Sequence, residues 1–250
     1  MRILITNDDG IEAKGINTLF AALSGKHEVY IIAPSHERSA CSNAITMRTP
    51  VVIKKVDPHH YSVTGFPADC VNIGMHANLI PVPDLVLSGI NHGPNMGDDI
   101  YYSGTVAGAR VGRINGKSGI AVSLCENGSD RDFENAARFT AEYIMNFREQ
   151  ILRDAVFLNI NYPVVSSDKL KGVAYTYLDK RKYIDHYTRI NGTEAEWEAK
   201  LEGIVESEYR SGSDADMTRK GFISVTPLNL DTTDYQTRAE FGKMPQAVSI

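Results

Sequence analysis

Apolar residues in this chain come in short unbroken runs, with stretches of helical period between them. Ile3-Leu4-Ile5 leads straight into the polar, doubly acidic Thr6-Asn7-Asp8-Asp9-Gly10, and Ile16, Leu19, Phe20 and Leu23 then fall at i, i+3, i+4 and i+7. That pattern reads as strand, turn, helix. The run 29–33, ended by Pro34, suits a strand buried on both faces. Residues 84–88, 120–124 and 155–160 repeat it. Phe133, Ala136, Ala137, Thr140, Ile144, Phe147 and Ile151 trace one helical face, with Ser129 or Asp130 placed to cap it. Such alternation predicts an α/β fold, a parallel sheet with helices on both faces.

Two segments break the alternation. Residues 51–56 and 61–64 are short β-prone runs around Asp57-Pro58-His59-His60, which predicts a hairpin. From about residue 165 charges and tyrosines thicken. Residues 175–177 and 183–187 have strand-like composition, and 222–227 reads as a late strand. Residues 194–206, carrying Trp197, Leu201 and Ile204, fit either a helix or a strand pair. The expected organisation is a catalytic core over 1–164, an extension over 165–220 outside the main sheet and reaching a partner subunit, and a return strand and tail over 221–250.

At 250 residues the chain is long enough for one large domain with an appendage. A net charge of −5 argues against binding of nucleic-acid polymers, which calls for a basic surplus, but leaves room for a small phosphorylated ligand. Cys41, Cys70 and Cys125 are odd in number and unpaired in spacing, as expected of buried thiols in a reducing compartment. No charged-then-apolar leader precedes the first strand, and no 18 apolar residues run together. The expectation is a cytoplasmic protein without a membrane span.

Candidate chemistry collects in the turns after the strands, where ligands of parallel sheets gather. Adjacent carboxylates at Asp8 and Asp9 repel each other, and a divalent cation between them resolves the conflict. Two further turns are unusually polar. One is 35–43, which contains Ser39. The other is 89–99, eleven residues with three glycines, one proline and the two asparagines Asn91 and Asn95. Ser39 and Asn91 carry neutral oxygens able to complete the coordination of a hard cation, or else they cap helices and brace turns. Ser103-Gly104-Thr105 opens another helical segment and offers free N–H groups, hydroxyls and a positive dipole end to phosphate, or serves as an ordinary cap. Gly104, Gly108, Gly112 and Gly116 recur at every fourth position. Interior glycines each cost about 0.8–1 kcal/mol relative to alanine, so close approach of this helix to the sheet is expected as the offset.

The chain lacks G-x-x-x-x-G-K-[ST], G-x-G-x-x-G after its first strand, and G-x-S-x-G, which disfavours a P-loop NTPase, a dinucleotide fold and a hydrolase triad. Among the seven histidines only His36 and His92 lie in candidate site loops, and neither reads as a catalytic base.

Five stretches, MRILITNDDGI, APSHERSACSN, TGFPADCVNIG, SGINHGPNMGDDIYYSGTVAGAR and GFISVTPL, together resemble the SurE family of metal-dependent 5′-nucleotidases. The resemblance runs almost continuously over the first 125 residues and returns near the end, while 165–215 matches poorly; Phe66 stands where a small residue or threonine is more familiar. It implies a Rossmann-like α/β domain with a protruding C-terminal β-hairpin exchanged between subunits of a homodimer or homotetramer. It also implies one divalent cation per subunit, Mg²⁺ or Mn²⁺, on Asp8, Asp9, Ser39 and Asn91. Phosphate contacts would come from Asn43, Asn95, Ser103, Gly104 and Thr105.

The expected reaction is hydrolysis of nucleoside 5′-monophosphates by metal-activated water, with Asp8 or Asp9 accepting its proton. 3′-Nucleotides and short polyphosphates are further candidate substrates. A covalent aspartyl-phosphate route suits an Asp-x-Asp spacing better than the adjacent pair present here. A nucleotide-binding regulator without turnover, and an interaction protein acting through its extension, are the rival classes.

Overall fold

A computed structural model of the chain describes residues 1–126 and 128–241. Inside its nine-stranded sheet, fourth from one edge, is β1 (Arg2–Thr6). β2 (Glu28–Pro34) and β4 (His60–Val63) lie on one side of it; β5 (Leu85–Asn91), β6 (Ser118–Leu124) and β7 (Phe157–Tyr162) lie on the other, all parallel. β3 (Ile53–Lys55) pairs antiparallel with β4, so the early hairpin forms and extends one edge of the main sheet.

Side chains alternate between two cores, as pleating demands. On one face Ile3 and Ile5 pack with Ile16 and Leu19 of α1 (Lys14–Leu23) and with Phe133 and Ile144 of α4 (Asp130–Asn146). On the other, Leu4 and Val86 meet Val71 of α2 (Pro67–His76) and Val111 of α3 (Gly104–Ile114). Full burial of each such side chain is worth about 1.5–3 kcal/mol relative to exposure. This two-sided packing makes the parallel sheet the rigid base of the site.

The glycine stripe lies against that sheet. A Cβ at Gly108 would stand 2.7 Å from Ser88 Oγ, and one at Gly112 2.6 Å from Val86 Cβ. Only hydrogen fits there, so the helix-propensity cost is offset by a close helix–sheet contact. Gly116, with φ +74°, ends the run in the left-handed region just past the helix.

Three expectations change. The helical face over 133–151 belongs to two helices, because Phe147 leaves helical geometry between α4 and α5 (Arg148–Asp154). The apolar period survives the break because Ile151 still reaches the core. The C-terminal third is not wholly outside the sheet: β8 (Val173–Tyr175) pairs with β11 (Ile223–Pro227), and β11 pairs antiparallel with β7. Main-chain hydrogen bonding to an open edge, which hydrophobic period does not report, draws these short runs in. Of residues 194–206, the first three form the hairpin turn and the rest are strand, within β10 (Trp197–Ser207), which pairs antiparallel with β9 (Arg181–Gly192) in a separate two-stranded hairpin. α6 (Asp214–Arg219) and α7 (Tyr235–Phe241) complete the described elements; the end of the expected tail, 242–250, lies outside the described residues.

The chain steps outward from β1 through β2 to β4 and then returns to β5 on the opposite side of β1. Strand order reverses at β1 and β5. The loops after these two strands diverge and leave a crevice at the carboxyl ends, where open α/β sheets bind ligands.

Candidate active site

Asp8 and Asp9 follow β1 into that crevice. The turn carrying them is held by Asn7, whose Nδ2 donates to the Gly10 carbonyl at 2.8 Å, and by Arg38 N–H donating to the Asp8 carbonyl at 2.6 Å. Asp8 is buried, and its Oδ1 accepts the Thr105 hydroxyl hydrogen. Burial pushes its carboxyl up to about 6; the Asp9 charge pushes the same way, and the Thr105 hydrogen bond opposes both. Asp9 Oδ2 is buried and accepts no aligned hydrogen bond, although His92 Nδ1 approaches to 3.2 Å.

The second polar loop brings Ser39, whose Oγ donates to Glu37 Oε1 at 2.8 Å. After β5, Asn91 Nδ2 donates to the Gly93 carbonyl at 2.9 Å, which leaves Oδ1 uncommitted. Both side chains brace their own turns, and both also line the crevice. Asn95 is held from below: its N–H donates to Asn161 Oδ1, its carbonyl accepts from Asn159 and Asn161, and its Nδ2 donates to Ser123 Oγ. A buried hydroxyl on β6 and two buried amides on β7 thus fix a loop residue that sequence spacing leaves free.

Ser103 caps α3, its Oγ accepting from Val106 N–H at 3.0 Å. Gly104 is pressed against Asp8, since a Cβ there would lie 2.8 Å from Asp8 Cβ and 2.6 Å from Cys41 Sγ. The Thr105 hydroxyl is committed to Asp8, which makes it a brace for the carboxylate. Asp8, Ser39, Asn91, Asn95 and Ser103 line one cavity of about 550 Å³. Asn43 does not reach it; that side chain lines a neighbouring cavity, where its Oδ1 accepts from Arg110 at 2.6 Å.

The family model described as Survival protein SurE matches residues 3–185. A protein from Leptospira interrogans serovar copenhageni named 5′-nucleotidase SurE is 42% identical over 94% of both chains. A like-named protein from Pelotomaculum thermopropionicum is 41% identical over 100% of this chain and 97% of its own. The crystal structure of SurE from Aquifex aeolicus superposes with a TM-score of 0.81 at 35% identity, covering 96% of this chain and 98% of that one. The chain belongs to the SurE family.

In this SurE chain the far wall of the cavity comes from His92 and Asp99 of the polar 89–99 loop and from four residues that were not read as site candidates, Tyr102, Tyr183, Asp185 and Leu201. Three of these lie on the β9–β10 hairpin, far from the strand-end loops in sequence. The hairpin base is tied to the site by Arg181, whose guanidinium pairs with Asp99 at 2.9 Å and whose N–H donates to Asp98 at 3.0 Å. Tyr183 donates its hydroxyl to Asp99 as well, and burial together with this bond holds its phenol above its ordinary range. Beneath them the buried Asp214 accepts from Gly97, Asp179 and Ala215 N–H groups, joining the loop after β5 to the hairpin's entry. Asp98 and Asp99 fall within the polar 89–99 loop, but nothing in local sequence links them to Arg181 and Tyr183.

Proposed function

We propose that this SurE chain hydrolyses nucleoside 5′-monophosphates at the cavity after β1 and β5 with one divalent cation, Mg²⁺ or Mn²⁺, per subunit. The chain is a 5′-nucleotidase, as its relatives of about 40% identity over nearly the whole length are named. The observation that carries the site assignment is convergence. Five side chains read as candidates from sequence, on four separate segments, line one cavity at the switch of strand order. 3′-Nucleotides and short polyphosphates are further substrates in this reading.

The residues present suit a hard cation. Asp9 Oδ2 is buried without an aligned donor, and Asp8 is a buried carboxyl with a second carboxyl beside it. Among the described residues no group of three or more His, Cys, Asp or Glu is placed to hold a metal. Neutral oxygens must therefore complete the set. Two carboxylates with hydroxyl, amide and water oxygens match magnesium-like ions better than zinc. Asp8, Asp9, Ser39 and Asn91 would hold it. Bound there, it supplies charge stabilisation to the phosphoryl group and lowers the pKa of water.

The chain's own groups do the rest. Thr105 keeps the Asp8 carboxylate oriented. Asn95, Ser103 and the N–H of Gly104 at the start of α3 bind the phosphoryl oxygens and stabilise their charge, while Thr105 N–H and hydroxyl both serve Asp8. Asp9 Oδ2 accepts the proton of the attacking water, an acyl-free route that forms no phosphoenzyme. The test is phosphate release from AMP with Mn²⁺ or Mg²⁺. Release should vanish in excess EDTA and return with added cation; release that persists unchanged in chelator refutes the reading.

We also assign residues 1–164 to the catalytic core, 165–220 to the extension and 221–250 to the return strand and tail, with the hairpin joining subunits of a homodimer or homotetramer. A lone two-stranded hairpin is marginally stable in water, and this one leaves Ile184, Tyr187, Ile190, Trp197 and Ile204 exposed. A second copy covering them supplies the missing core. The three cysteines are free, and no helix among the described residues is long and apolar enough to cross a membrane. The thiols favour the reducing cytoplasm as its location.

A further inference from the structure

The neighbouring cavity that Asn43 lines has a volume of about 640 Å³ and a different make-up. Ile100, Phe157, Leu178, Leu228 and Leu230 pack into one apolar cluster and form much of its wall. Arg110 of α3 brings a cation into this apolar space. Its guanidinium stands 5.8 Å from the centre of the Phe157 ring. Nη1 donates to Asn43 Oδ1 at 2.6 Å and Nη2 to the Ile100 carbonyl at 3.2 Å. Both acceptors are neutral. A guanidinium has five N–H donors, so three stay uncommitted. Burial works against the charge and draws its pKa below the usual arginine value; Tyr101 opposes this, and among the described residues no carboxylate does. Asp231 lines the same cavity, but its oxygens accept from Thr233 N–H and from the Tyr235 hydroxyl. Charges withdrawn from water are ordinarily paired, and this one is not.

We propose that this cavity is a second binding site, for a small monocarboxylate with an apolar body, whose carboxylate takes Arg110 and the Asn43 amide and whose body lies against Phe157 and the leucines. The planar guanidinium fork matches a carboxylate with two parallel hydrogen bonds. Asn43 is already turned for the task, because its Oδ1 faces Arg110 and its Nδ2 is left as a donor without a described partner. A single cation, with the Asp231 carboxylate on the same wall, favours a singly charged ligand over a doubly charged phosphate. The volume and the mostly apolar lining with a few convergent polar groups are those of a small-molecule site. Nucleotide hydrolysis makes no use of Arg110, so this site is separate from the one after β1 and β5.

The experiment titrates hexanoate, and hexanol as its uncharged twin, into the metal-free full chain by calorimetry. Hexanoate should bind about tenfold or more tightly than hexanol, the scale of one charge-assisted pair, and Arg110→Gln should remove that advantage. Equal affinity for the two in wild type, or no binding of hexanoate, overturns the proposal. So does hexanoate affinity in Arg110→Gln within twofold of wild type. Wild-type AMP turnover with added Mn²⁺ shows that Arg110→Gln is folded; should it not fold, the comparison of hexanoate with hexanol in wild type still decides. Excess AMP, added without metal, separates the two cavities. Hexanoate binding should persist, and its loss would put the probe in the nucleotide cavity and overturn the site. Hexylphosphonate at alkaline pH, the same chain under a double charge, should bind more weakly than hexanoate; tighter binding overturns the assignment to a monocarboxylate.

Discussion

The Thr105 hydroxyl donates to Asp8 Oδ1 across 97 residues of chain, joining the first turn of α3 to the turn after β1. Gly104 allows this contact, because any side chain there would push Asp8 away. Thr105 thus acts on the carboxylate that faces the cavity, and its effect on phosphate runs through Asp8.

From this bond follows the behaviour of Thr105→Val, which keeps shape and removes the donor. Affinity for Mn²⁺ should fall about 10–100-fold, the usual effect of losing a ligand's hydrogen-bonding partner, while Thr105→Ser should stay near wild type. Calorimetric titration of Mn²⁺ measures both. Wild-type affinity in Thr105→Val would show that the bond does not position Asp8.

The raised Asp8 carboxyl makes the metal-free protein pH-sensitive. Its folded pKa of about 6 lies above the ordinary aspartate value of 3.8, so the folded state binds this proton more tightly. The resulting stabilisation is fully present below pH 3.8 and is lost as pH rises through about 6. The gap amounts to roughly 3 kcal/mol. Urea denaturation in EDTA should find Asp8→Asn gaining stability relative to wild type between pH 4 and pH 7, by up to that amount. A difference that does not change with pH would contradict the burial argument.

Gly108→Ala should destabilise the fold although alanine is the better helix former. The new methyl would lie 2.7 Å from Ser88 Oγ and 2.8 Å from Thr6 Cγ2. Overpacking of about 1–3 kcal/mol outweighs the propensity gain of up to about 1 kcal/mol. A thermal melt showing a raised Tm would mean that α3 can move off the sheet.

The hairpin's exposed tip should matter for assembly. Tyr187→Asp combined with Ile190→Asp places charge on two exposed apolar positions of β9. Light scattering after gel filtration should then report a smaller particle than wild type; an unchanged mass would exclude this surface from the subunit contact.

Much of this was legible in the chain because local rules sufficed. The apolar runs gave the parallel strands, and the period through Ile16 and Leu19 gave α1, since packing direction and periodicity agree there. Asp8, Ser39 and Asn91 could be placed at one crevice because strand-end loops converge at a reversal of strand order, whereas Asn95 came only from the family resemblance. What stayed hidden depends on long-range pairing. Residues 222–227 read as a strand, but its pairing with β7 and with 173–175, which draws the latter into the sheet, is made by main-chain bonds that composition does not announce. Trp197, Leu201 and Ile204 could not distinguish helix from strand because the hairpin has no buried face to impose one period. Tyr183 and Leu201 reach the cavity only through the Asp99 and Asp214 anchors, and Asn43 is drawn aside by Arg110.

The central claim is that Asp8 and Asp9 hold one cation on which nucleotide hydrolysis depends. The most direct measurement titrates Mn²⁺ into metal-free protein by calorimetry while following phosphate release from AMP, in wild type and in Asp8→Asn and Asp9→Asn. The account predicts one bound ion per chain, release rising in step with occupancy, and a fall in turnover of at least ~100-fold in both folded variants. Full-rate release with no bound ion, or near-normal turnover in both variants, would contradict it.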